Sequence, residues 1–174
     1  MTAWLPETAA ALALALFLRL FVVNLARIKG TSMLPTLHSG EWTLVWRLPL
    51  LFRPPHRGDV VICHYPGRRM KHCRLLPQTF VKRVIGLPGD TVEWIEGVVH
   101  INGEALAEKY LDPARCRIAR TRPPRVLGAD EYYVLGDHRD RSNDSRSIGP
   151  IRRRDLRGHV VCVMWPIRAW RRVR

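Results

Sequence analysis

The chain has 174 residues, with 29 Lys and Arg against 15 Asp and Glu, for a formal net charge of +14. That length holds one domain with at most a membrane segment beside it, and the charge favours anionic surfaces. No basic helix carries a zinc-finger, zipper or RNA-platform signature, so nucleic acid is set aside as a partner in favour of membrane lipid.

Residues 1–8 read as a tail without Lys or Arg, unlike the basic start of a cleavable secretion signal. Residues 9–26, AAALALALFLRLFVVNLA, form an apolar run whose helix would rise about 27 Å, close to the thickness of a hydrocarbon core. A transmembrane anchor is expected over 9–26, with Arg19 snorkelling to the interface. Arg19, Arg27 and Lys29 flank it on the C-terminal side, so the positive-inside rule alone would hold the following residues in the cytoplasm.

Residues 27–174 read as one compact, mainly β domain with antiparallel strands. Residues 27–30 alternate like an exposed strand, 32–37 turn into a short helical piece, and 41–46 form a strand. The run LPLLF at 48–52 reads equally as an exposed apolar loop or a core segment, and Trp42 and Trp46 suit a membrane interface. Strands follow over 59–65, 80–87, 91–95 and 98–101, punctuated by the turns PGD, EG and NG. A Pro/Arg loop is expected over 112–125, and strands over 131–135 and 160–165.

Ser32 lies in GTSMLPTL at 30–37, and Lys82 is the one lysine flanked on both sides by β-type apolar residues. A serine hydroxyl needs a base to take its proton, and a lysine serves only when desolvation keeps its amine neutral. None of the seven histidines has the context of a Ser/His triad. The third cluster, GDHRDRSNDSR at 136–146, has no apolar side chain and needs internal ion pairs to hold a shape. Asp144 with Arg146 can supply one, and Ser142 or Ser145 can donate to a neutral amine.

These three stretches resemble the sequence boxes of type I signal peptidases, membrane-bound Ser/Lys serine proteases that remove signal peptides from exported preproteins. The match covers SMLPT at 32–36, KRVIGLPGD at 82–90 and residues 136–146, with GDVV at 58–61 as a further shared strand. The resemblance implies that Ser32 is the nucleophile, Lys82 its general base, and Ser142 the hydroxyl that positions the amine. It implies that Asp144 and Arg146 form a supporting salt bridge and that Asp137 shapes the site. Substrate would add as a strand beside 26–30 and 80–82, with Ala26, Ile28, Gly30, Met33, Leu37, Phe80 and Val81 lining shallow pockets for an Ala-X-Ala site. The chain departs from the family at His138, where asparagine is usual, and at Gly30, where some members carry a hydroxyl.

The resemblance further implies a single-pass membrane protein, monomeric, with residues 27–174 on the extracytoplasmic side and no metal or cofactor. Cys63 and Cys73 can pair if that side is oxidising, while Cys116 and Cys162 can pair or stay free. Cys63, His64, His72 and Cys73 have zinc-ligand chemistry without a familiar spacing. Two rival readings share the Ser/Lys chemistry. One is a LexA-like self-cleaving regulator, which needs a helix-turn-helix ahead of Ser32; the other is a peptidase dedicated to pilin or conjugation subunits.

Overall fold

A computed structural model describes residues 4–17, 22–70, 73–117 and 119–173. In chain order, helix α1 (Trp4–Phe17) precedes β1 (Val23–Arg27) and β2 (Trp42–Trp46), and a one-turn helix α2 (Pro49–Phe52) leads to β3 (Val60–Met70) and β4 (Cys73–Gly86). Next come β5 (Thr91–Ile95), β6 (Val98–Ile101), β7 (Glu104–Ala105), β8 (Arg122–Val126) and β9 (Glu131–Leu135). A short helix α3 (Ser145–Ile148), β10 (Ile151–Arg152), β11 (Leu156–Trp165) and β12 (Arg171–Arg172) complete the chain.

Two antiparallel sheets result, as a mainly β reading requires. The larger runs β1-β2-β11-β3-β4-β9-β10, with β12 on β11; the smaller runs β7-β6-β5-β8. Three clusters of buried apolar residues hold them. Ile85, Val92, Trp94, Leu127 and Tyr133 join the two sheets, and Gly86 lets them close, since a Cβ there would stand 2.7 Å from both Leu127 and Val92. Ile28, Met33, Leu37, Val45 and Val163 pack under the first strands, and Val61, Cys63, Val84 and Tyr132 under the centre.

The N-terminus departs from the expected anchor over 9–26. Helix begins at Trp4, inside the expected tail, and spans 14 residues, about 21 Å of rise. Residues 23–27 are strand, paired from Val23↔Trp46 to Arg27↔Trp42, with the Thr43 hydroxyl donating to the Ala26 carbonyl. The free edge of β2 takes up this stretch as strand, overriding its helical apolar pattern. Residues 18–21 lie outside the described residues, and among those described no helix is long and apolar enough to cross a membrane.

Two other stretches also differ. The LPLLF run is a helical turn that combines both expectations: Leu50 packs on the central cluster and Phe52 is 80% exposed. The expected Pro/Arg loop ends in β8, which contains Pro123 and Pro124 yet pairs with β5. β8 is an edge strand, where a missing N–H can face solvent without breaking the ladder.

Candidate active site

β1 continues past Arg27 as extended chain, because Ile28 N–H donates to Glu41 O and Gly40 N–H to Ile28 O. Gly30 then turns with φ +96°, and residues 32–37 coil so that Leu37 N–H reaches Met33 O. Ser32 sits on that coil. Lys82 projects from mid-β4, opposite Val61 of β3. The two meet with Nζ 2.8 Å from Ser32 Oγ, and Nζ also lies 2.8 Å from Val81 O.

Lys82 is 3% exposed, and the Phe80 ring lies 5.3 Å from Nζ. Desolvation lowers its pKa below the ordinary lysine value, outweighing the opposing pull of Asp144, Cys63 and Asp137. Burial pushes the neighbouring Cys63 thiol up to about 12, so it stays protonated.

The loop 136–146 is built on buried carboxylates. Asp144 is fully buried and accepts from Gly136 N–H at 3.0 Å and from Arg146 Nε and Nη2, both at 2.8 Å. Asp137, also fully buried, takes a two-pronged contact from Arg83 at 2.9 and 2.7 Å and a hydrogen bond from the Thr36 hydroxyl. Arg83 stacks 3.8 Å from the Tyr110 ring centre, and Arg139 pairs with Glu108. These bonds draw the loop against the Ser32 turn. His138 N–H donates to Ser32 O at 3.0 Å, and His138 Nδ1 lies 3.2 Å from Thr31 O.

One expected contact is not made. Ser142 was to hold the lysine amine, but its Oγ is buried without a hydrogen-bond partner. The hydroxyl lies against Gly136, where an added Cβ would stand 2.1 Å from it, and the second partner of Lys82 is the Val81 carbonyl.

A groove of about 620 Å³ opens beside Ser32. Ala26, Ile28, Gly30, Met33, Phe80 and Val81 line it, with Ile62 joining them from β3. Leu37, expected in that lining, has no exposed surface and packs beneath the groove in the core. Sequence reasoning passed over Arg83, Thr36, Glu108, Tyr110, Arg139 and Ile62. Arg83 was visible as a second cation inside an apolar run; the others carry no local signal.

Cys63, Cys116 and Cys162 are free thiols, so no Cys63–Cys73 bond forms, and the Cys73 side chain lies outside the described residues. Among the described residues no three His, Cys, Asp or Glu side chains gather as metal ligands.

A family profile described as "Signal peptidase, peptidase S26" matches residues 1–165. The probable signal peptidase I-1 of Synechocystis sp. is 37% identical over 167 residues, covering 95% of this chain and 83% of that protein. The signal peptidase I of Leptolyngbya laminosa is 38% identical over 155 residues, covering 88% and 74%. A crystal structure of a signal peptidase I from Enterococcus faecalis V583 overlaps with a TM-score of 0.49 at 29% identity, covering 63% of this chain and 98% of that one.

Proposed function

The chain belongs to the signal peptidase family, peptidase S26, and is a hydrolase of that family; from this membership we propose that it cleaves signal peptides with a Ser32/Lys82 dyad after Ala-X-Ala. The observation that carries the reading is the contact of 2.8 Å between a buried amine and a serine oxygen at the mouth of an apolar groove.

Neutral Lys82 takes the proton of Ser32 as its oxygen attacks the scissile carbonyl, and the Ser32 N–H supports the developing oxyanion. Lys82 then gives the proton to the leaving amine of the mature protein. Water, deprotonated by the same amine, releases the signal peptide from the acyl-enzyme. Asp137, Asp144 and Arg146 hold the loop that backs the dyad, and Ser142 lies on the same loop. The preprotein lies extended in the groove, with small side chains toward Ala26, Ile28, Met33 and Val81. No metal or cofactor enters any step.

We place the enzyme at the membrane as a monomer, its catalytic domain on the extracytoplasmic side where preproteins emerge. The exposed Leu12, Leu14 and Leu16 of α1, together with exposed Phe52, Trp165 and Trp170, support lipid contact. Cleavage of a preprotein whose signal ends in Ala-X-Ala, by wild type, Ser32→Ala and Lys82→Ala in detergent, tests the reading. Both variants should lose at least about a thousandfold in rate with unchanged circular dichroism. Activity surviving Lys82→Ala rejects the dyad, and a wild type active only on pilin-type subunits moves the assignment to a dedicated processor.

A further inference from the structure

A second cavity lies at the seam between the small sheet and the loop 136–146, and no substrate or reacting group of the reaction above enters it. Trp94, Arg120 and Arg122 contribute from the sheet side, and Arg139, Asp140, Ser142 and Arg146 from the loop, around about 130 Å³. The register explains the gathering: Arg122 is the cross-strand partner of Trp94, over whose ring Arg139 and Arg146 lie at 5.5 and 5.3 Å.

Four guanidiniums and one carboxylate therefore share a small space. Arg139 and Arg146 have their own carboxylates in Glu108 and Asp144, and Asp140 accepts from Arg117 N–H at 3.1 Å. Arg122 donates to the Arg146 carbonyl at 2.6 Å, and among the described residues neither Arg120 nor Arg122 forms an ion pair. Such a lining is rich in donors and poor in acceptors, which selects an oxyanion; planar guanidiniums suit tetrahedral phosphate oxygens in particular. A cavity of about 130 Å³ has room for a phosphate group.

We propose that this cavity binds a phosphate group, which ties β8 to the loop bearing Asp137, Ser142 and Asp144 and steadies the loop for catalysis. The effect on catalysis rests on the function proposed above; the binding does not. The phosphate can be free in solution or belong to an anionic lipid headgroup.

The test is thermal unfolding of the full chain in detergent during titration with inorganic phosphate, ionic strength held constant with sodium chloride. Wild type should gain about 3–5 °C at tenfold saturation, and Arg120→Glu should lose that gain. Arg120→Ala, a milder change at an exposed position, serves if the reversal fails to fold. A phosphate effect equal to the chloride control, or undiminished in both variants, overturns the proposal. In phosphate-free buffer, phosphatidylglycerol vesicles that protect wild type more than Arg120→Ala identify a lipid headgroup. Equal protection of the two, beside a phosphate gain that Arg120→Ala lacks, identifies free phosphate. A phosphate gain in Tm without cleavage of any preprotein would reject the peptidase reading and leave the anion site standing.

Discussion

Lys82 Nζ stands 2.8 Å from Ser32 Oγ while the lysine is almost wholly withdrawn from water. Burial disfavours its charged form, so the neutral amine appears at lower pH than for an ordinary lysine. Cleavage of a preprotein should therefore rise with pH along a single titration below about 10.4. Stability moves in the same direction. Between the lowered folded pKa and the ordinary unfolded one, the unfolded chain binds more protons, so stability grows as pH rises through that window. Lys82→Met should be more stable than wild type below the window, and the gap should close as pH approaches 10.4. Urea unfolding of both proteins across pH checks this; a gap that does not change with pH rejects it.

Gly136 faces Ser142 and Ser32 at once. A Cβ there would meet Ser142 Oγ at 2.1 Å and the Ser32 carbonyl at 2.5 Å. Gly136→Ala should cost about 1–3 kcal/mol in stability and most of the activity. Adding Ser142→Ala removes the hydroxyl clash but leaves those with the Cβ of residue 142, at 2.6 Å, and with the Ser32 carbonyl. Calorimetry and cleavage rates on the two variants should show partial recovery of stability without recovery of rate.

The Arg83–Asp137 pair is buried at both ends, 1% and 0% exposed. Asp137→Ala leaves a guanidinium unpaired in the core and should cost about 3–5 kcal/mol, read from the urea midpoint. Replacing both partners with apolar residues, Arg83→Met with Asp137→Leu, should cost much less. An Asp137→Ala protein as stable as wild type would show that water reaches the pair.

Leu12 and Leu16 lie exposed on α1, and Phe52 on α2. Leu12→Ser with Leu16→Ser should weaken co-sedimentation with phosphatidylglycerol vesicles at least tenfold, because each change removes apolar contact with the bilayer without altering charge. Cleavage of a short soluble peptide in detergent should stay at the wild-type rate. Unchanged vesicle binding would remove α1 from the membrane contact.

The Ser32–Lys82 pairing was legible only from three stretches read together, since alone Ser32 reads as a helix cap and Lys82 as a strand lysine that snorkels. The resemblance of the three to the signal peptidase boxes joined them, and the structure brings the two side chains within 2.8 Å. The antiparallel β character was legible from alternation and turns. β8 was hidden by Pro123 and Pro124, whose placement is tolerable only at an edge that pairing alone reveals. The end of α1 was hidden because Val23 extends the apolar run, while the partner that makes it strand, Trp46, lies 23 residues further on in β2. Glu108 gave no sign of meeting Arg139, 31 positions away. Ser142 was assigned to Lys82 by motif, and the structure sets it against Gly136.

His138 grips the Ser32 turn twice, through its main-chain N–H to Ser32 O and through Nδ1 to Thr31 O. The second contact requires the proton on Nδ1, since a carbonyl only accepts. His138→Ala keeps the main-chain bond and loses the ring, so Ser32 should hold its place less firmly without any change in the groove. The expected result is a kcat about 3–10-fold lower, matching one hydrogen bond, with KM nearly unchanged. His138→Asn supplies an amide N–H at similar reach and should restore most of the rate. Steady-state kinetics on a signal-peptide substrate decides it. A normal kcat in His138→Ala, or an asparagine variant no better than alanine, would mean that the main-chain bond alone fixes the turn.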